Sequence, residues 1–171
     1  ISYINSNKII DQETVDDTRT LLGYEPHIKD GDSLFIFDEA RNFNLKQIPK
    51  DYNWVLWMDA DDTLKNGENL KLIIKEAEEK NKEAIFLTYI YHADIDDNDN
   101  VKDIYISSLR ERIVKNNDTF SWKGSIHEIL HSEKPVEAMQ SDKCFILHHL
   151  TLDKARASTI RNIKALEYAI Y

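Results

Sequence analysis

Apolar and polar positions fall into blocks along this chain, and the blocks predict its elements. Ile9-Ile10 forms a short apolar stub ending at Asp11. A helix is expected from Asp16 or Asp17 through Leu22, because Asp favours helix starts and Gly23 is suited to close it. Leu34-Phe35-Ile36-Phe37 reads as a strand, and Glu39 to Ile48 as a helix with Pro49 beyond its end. Trp54-Val55-Leu56-Trp57-Met58 is an unbroken apolar run, which suits a strand buried on both faces of a parallel sheet. Leu70, Ile73, Ile74 and Ala77 share one helical face. Ala84 to Tyr91 is a second β-rich run, and Asp94 to Asn100 reads as an exposed acidic loop. Shorter strands are expected at Ile104–Ile106, Arg112–Val114 and Phe145–Leu147. Asp153 to Tyr171 predicts a long helix with Ala157, Ile160, Ile163, Leu166 and Ala169 or Ile170 facing inward. The alternation of strands and helices predicts an α/β domain, and the later hairpin-like strands predict a mixed sheet.

Size and charge narrow the picture. The 171 residues are room for one domain, 1–171. Lys and Arg total 22 against 31 Asp and Glu, a formal net charge of -9. That balance argues against a nucleic-acid partner, because phosphates need a basic face. A bound cation can still reverse the local field for an anionic small ligand. Cys144 is the one cysteine, so no disulfide framework exists. It reads as a buried small hydrophobe. No apolar run reaches the length of a transmembrane segment and no signal peptide is visible, so the expectation is a cytoplasmic chain.

The sharpest chemistry is Asp59-Ala60-Asp61-Asp62, directly after the apolar run. Ligands of open α/β sheets sit beyond the carboxyl ends of strands. Carboxylates crowded there repel one another unless a cation joins them. In an extended segment, Asp59 and Asp61 face the same side. Hard oxygen donors suit Mg²⁺ or Mn²⁺, especially one that also touches phosphates. A helix-capping turn is the plainer reading. Calcium loops fail on paper. They need Gly sixth and Glu twelfth, and a start at Asp59 or Asp94 meets neither.

Asp59-Ala60-Asp61-Asp62-Thr63-Leu64 looks like the first motif of haloacid dehalogenase-like phosphatases, which implies Asp59 as nucleophile, with Thr88 as the Ser/Thr element. A resemblance that covers more of the chain is to family 2 glycosyltransferases. Asp11-Gln12-Glu13-Thr14-Val15-Asp16-Asp17-Thr18 resembles their Asp-x-Gly-Ser/Thr-x-Asp-Gly-Thr stretch, with Glu13 and Asp17 in the glycine positions. Ala40-Arg41-Asn42 resembles the Ala-Arg-Asn that opens their next helix. Asp59-Ala60-Asp61-Asp62 is similar to their Asp-x-Asp motif. Arg110 or Arg112, followed by Trp122-Lys123-Gly124-Ser125-Ile126-His127-Glu128, resembles their Arg … Gly-x-Val/Ile-His-Glu segment. His148-His149 resembles their late histidine pair, followed by a helix with Arg161-Asn162 and Leu166-Glu167.

The resemblance implies a GT-A-like (Rossmann-like) domain with a mixed, mainly parallel sheet and flanking helices. Family members carry another strand and helix before the Asp11 stub, so it also implies an N-terminally incomplete domain. The implied activity is transfer of a sugar from a nucleotide-diphosphate donor to an acceptor hydroxyl, with inversion. The acceptor is a saccharide, a protein or a lipid-linked group. The implied metal ligands are Asp59, Asp61 and His148, for Mn²⁺ or Mg²⁺, with His149 as the alternative histidine. Asp62 is expected behind the ligands or as a cap. Asp11, Arg41, Asp59 and His127 are implied donor-binding residues, and Glu128 is the implied catalytic base. Trp122 stacks on a sugar or packs in the core, while Trp54 and Trp57 belong to the core. A non-catalytic nucleotide- or sugar-binding module remains the third reading.

Overall fold

A computed structural model of the chain describes residues 7–98, 100–149 and 152–171, the side chains of 152–157 excepted. The chain divides into two compact units, each built from separate stretches.

The first unit comprises Ile1–Ile48, Ser121–His131 and Leu152–Tyr171. Strands β1 (Asn7–Ile9) and β2 (Ser33–Phe35) pair antiparallel. Helix α1 spans Gln12–Leu22 and begins before the predicted Asp16 or Asp17. The reason is local: Asp11 caps it, accepting from the Thr14 backbone N–H at 2.9 Å and from the Thr14 hydroxyl at 2.7 Å. Gly23 ends α1 in the left-handed conformation, φ 72°, as expected. Helix α2 is Phe37–Lys46, so Phe37 opens a helix where a strand residue was expected.

The C-terminal helix of this unit, Leu152–Ile170, turns a different face inward from the predicted one. Ile160, Leu166 and Ile170 are exposed, while Ala165 and Glu167 are buried. Tyr168 packs against the cluster of Ile10, Val15, Ile28 and Leu34. Ala157 lies outside the described side chains. The cause is Glu167, whose carboxylate accepts the backbone N–H groups of His27 at 2.7 Å and Ile28 at 3.0 Å. The buried Ile28 donor needs that acceptor, the His27 donor shares it, and this need overrides apolar periodicity.

The second unit comprises Pro49–Phe120 and Ser132–Thr151. Its sheet has the order β3-β6-β5-β9-β4. These strands are β3 (Trp54–Leu56), β4 (Asp62–Lys65), β5 (Ala84–Ile95), β6 (Val101–Lys115) and β9 (Ala138–His148). The sheet is mixed, as expected, but it is not mainly parallel. Only the β5–β9 pairing is parallel; β3–β6, β6–β5 and β9–β4 are antiparallel. The physical reason is the long β5–β6 hairpin, which joins adjacent strands without a crossover. Residues 104–106 and 112–114, read as separate strands, lie within the single strand β6. The predicted buried strand 54–58 is also corrected. It is three residues long, sits at a sheet edge, and buries only Val55.

Helix α3 (Leu70–Glu79) turns Ile73 and Ala77 onto the sheet as its spacing predicts, against Ile85, Leu87, Ile113 and Cys144. Cys144 is a buried free thiol whose pKa burial pushes up. Strands β7 (Phe120–Lys123) and β8 (Ile129–Ser132) form a separate two-stranded sheet. Among the described residues, no helix is long and apolar enough to cross a membrane.

Candidate metal centre

After β3 the chain leaves the sheet edge. The Trp57 backbone N–H still donates to the Arg112 carbonyl at 3.1 Å, and the chain then bends. Asp59-Ala60-Asp61 is a turn rather than an extended segment, closed by the Asp62 N–H donating to the Asp59 carbonyl at 3.0 Å. Alternation therefore does not set the directions of Asp59 and Asp61. It applies from Asp62, the first residue of β4, which lies opposite His148 in the antiparallel register with β9.

Asp62 is the hub of this region. Its side chain is 0% exposed, against 29% for Asp61 and 17% for His148. Oδ1 accepts the Tyr89 hydroxyl at 2.8 Å and lies 3.0 Å from His148 Nδ1. Oδ2 accepts the Asp59 backbone N–H at 3.0 Å. Arg112 Nη1 stands 3.7 Å from Oδ2. The sequence reading expects Asp62 behind the ligands or as a cap; these bonds fix its side chain in place.

Arg112 reaches Asp62 because of an irregular ladder. Ile85 pairs with Ile113 and Phe86 with Glu111, so Arg112 is the extra residue of a bulge. A bulge re-aims a side chain. The guanidinium lies 3.7 Å from the centre of the Trp57 ring and 4.1 Å from that of Tyr89. Trp57, assigned to the core, is thus one wall around a buried cation. Its indole N–H donates to the Glu111 carbonyl at 2.6 Å. Burial lowers the pKa of Arg112, against the opposing pull of Tyr89, Asp62 and Asp59. Burial first, and then its bond to Asp62, raises the Tyr89 phenol well above its ordinary range.

The two late histidines separate cleanly. His148, at the end of β9, turns to Asp62, and its Nδ1 is 3.8 Å from Asp61 Oδ1. His149 turns to Thr63, with Nε2 3.0 Å from the hydroxyl, while its backbone N–H donates to the Asp61 carbonyl at 3.0 Å. Asp61, Asp62 and His148 offer ligand atoms within 4.8 Å of one another. Two carboxylates and an imidazole could hold a metal ion, and the donor set does not specify which.

The first unit gathers a second set of expected residues. Arg41 Nε lies 3.8 Å from Glu128 Oε2, and the guanidinium lies 4.9 Å from the centre of the Trp122 ring. Trp122 is buried, so one face of its ring goes to Arg41. Asn42 holds the same residue by its backbone, donating to the Trp122 carbonyl at 2.9 Å and accepting its N–H at 2.7 Å. The segment between β7 and β8 contains two left-handed residues, Gly124 at φ 119° and His127 at φ 53°. His127 tolerates that region better than most side chains do. Asp11 is placed as the cap of α1.

Tyr89 is the residue the sequence reading missed. Arg112 was noted only as one of two candidate arginines. A charged residue beside the apolar pair Ile113-Val114 was the available signal, since a buried charge demands a partner. No protein-family model matches the chain, and no curated protein matches it either.

Proposed function

We propose that the chain is a metal-dependent glycosyltransferase of GT-A type, acting on a nucleotide-diphosphate sugar and transferring with inversion to an acceptor hydroxyl. One observation carries the reading. The acidic turn after β3 sets Asp61 beside His148 at the end of β9, with Asp62 fastened behind them. Asp61 and His148 are the partly exposed donors that would hold the cation. A divalent cation there supplies electrostatic stabilisation to a leaving diphosphate. Asp62, Tyr89 and Arg112 keep the supporting shell in place, and His149 ties the Asp61 backbone to the end of β9. Glu128 is the base in this reading, and Arg41, Asp59 and His127 bind the donor, as the sequence resemblance implies.

Calorimetric titration with uridine and guanosine diphosphates, with and without Mn²⁺, tests the proposal. The expected result is nucleotide binding that requires Mn²⁺ and disappears in Asp61→Ala. Nucleotide binding that is indifferent to both metal and Asp61→Ala overturns it, as does an absence of binding under every metal.

A further inference from the structure

We infer that two copies of this chain pair through the outer edge of β6, antiparallel, about a two-fold axis at Ser107.

The sheet leaves that edge open. β5 takes one edge of β6 from Val101 to Val114. On the other edge, β3 covers only Ile113, Val114 and Lys115. Trp57 then bonds the Arg112 and Glu111 carbonyls. Among the described residues, no strand lies along the outer edge from Val101 to Leu109. A bare strand edge presents a row of backbone donors and acceptors, which is a template for another strand. Apolar side chains accompany it: Ile104, Tyr105, Ile106 and Leu109 are all exposed. Such grouping of exposed apolar residues marks an interaction surface.

The ladder identifies the occupant. Two antiparallel copies related by a two-fold axis need one residue opposite itself. Counted against β5, the rungs of β6 are Asp103, Ile104, Ile106, Ser107, Ser108, Leu109 and Arg110. Tyr105 is the extra residue of a bulge, because Ile104 pairs with Ala93 and Ile106 with His92. Ser107 is the middle rung. With Ser107 on the axis, Asp103 meets Arg110 of the second copy, Ile104 meets its Leu109, and Ile106 meets its Ser108. The symmetry repeats each pair. Opposite charges and apolar partners directly across a ladder both favour pairing. Moving the axis to Ile106 sets Asp103 opposite Ser108, and moving it to Ser108 sets Arg110 opposite Ile106, so complementarity selects one register. Bulges ordinarily discourage edge pairing. Here the bulge creates the match: without it the stretch has no central residue, and a two-fold axis could not oppose Asp103 to Arg110.

Sedimentation velocity on the full chain over a concentration series reads the assembly. The expected result is a monomer–dimer equilibrium. Asp103→Arg and Arg110→Asp each set like charges opposite one another twice per dimer, and each should weaken dimerisation about tenfold or more. Combined in one chain, they recreate the opposite pairing and should return the affinity close to native. Ser107→Cys places a thiol beside its own copy, within disulfide reach. Mild oxidation should then give a cross-linked dimer, since the native thiol, Cys144, is buried. Adding Asp103→Arg should suppress that cross-link. A native chain that stays monomeric at every concentration overturns the inference, even if an extended peptide binds the edge. So does a dimer indifferent to either charge reversal, or a double variant as weak as the single ones. Should a chain carrying Arg110→Asp fail to fold, the cross-link decides: its absence, or its persistence with Asp103→Arg, overturns the inference.

Discussion

Tyr89 donates its hydroxyl to Asp62 across two buried side chains, at 2.8 Å. Removing that hydroxyl in Tyr89→Phe takes one donor from a buried carboxylate and should cost about 1.5–3 kcal/mol, read by urea unfolding. The phenol pKa is raised in the folded chain, first by burial and then by Asp62. The protonated phenol is therefore the form folding favours. Its contribution is complete below the ordinary tyrosine value of 10.0 and is lost as pH rises above it. The native chain should lose stability there by up to about 1.4 kcal/mol per pH unit from this group, and Tyr89→Phe should lose less. Equal alkaline slopes in the two proteins would contradict this account.

Arg112 is the cation that faces Asp62, held between the rings of Trp57 and Tyr89. Arg112→Met should destabilise the second unit by about 3–5 kcal/mol, because it leaves a buried carboxylate without its opposing charge. Arg112→Lys should recover only part of that loss, since an ammonium does not stack on two rings as a planar guanidinium does. Denaturant midpoints of these variants, combined with Asp62→Leu in a double-mutant cycle, measure the coupling. Additive effects of Arg112→Met and Asp62→Leu would show that the pair does not act together.

Local pattern carried far into the fold where one face of one element decides the outcome. Ile73 and Ala77 of α3, the run beginning at Ala84, and the closing role of Gly23 were all readable from spacing and residue type. Pattern failed where a distant polar group set the direction. Glu167 turns inward for two backbone donors 140 and 139 positions away, and it carries Ile160 and Leu166 outward with it. The acidic turn was visible as a cluster, but its ranking was not. Asp62 owes its place to Tyr89 on β5, Arg112 on β6 and His148 on β9. Which strands become neighbours is a property of the assembled sheet, and the bulge that aims Arg112 has no local signature.

Glu167 also makes a prediction of its own. Besides the two backbone donors, it lies 2.8 Å from His27 Nδ1. Glu167→Ala leaves the buried Ile28 N–H without an acceptor and should cost about 2–4 kcal/mol. Hydrogen exchange at Ile28 should accelerate by a matching factor, while amides in α3 keep their protection. Unchanged exchange at Ile28 would mean that the bond does not protect it.

Asp11 supports α1 through Thr14, first through the backbone N–H and then the hydroxyl, and these bonds lower its carboxyl pKa. The sign follows from that direction. The ionised cap favours the folded chain above the ordinary value of 3.8, and its contribution fades as pH falls through the depressed folded value. Asp11→Ala should fray the first turn of α1, seen as faster exchange at Val15 and Asp16. Asp11→Asn should preserve the cap and remove its acid sensitivity. If Asp11→Asn frays the helix as much as Asp11→Ala, the capping account fails.

Asn42 treats Trp122 as a neighbouring strand would, with one bond to its carbonyl and one from its N–H. The amide side chain thereby satisfies backbone groups of a buried residue whose ring also meets Arg41. Asn42→Ala removes both bonds together and should cost about 1–3 kcal/mol, the range for leaving buried polar groups unmatched. Asn42→Asp keeps the acceptor for the Trp122 N–H and loses the donor to its carbonyl. It should therefore fall between Ala and the native residue at neutral pH. Tryptophan fluorescence adds a second readout. Loss of the clamp should shift the emission of Trp122 to the red, and Trp122→Phe in the same background should abolish the shift. A shift that persists in Trp122→Phe would assign it to Trp54 or Trp57 and remove the case for Asn42 as the clamp.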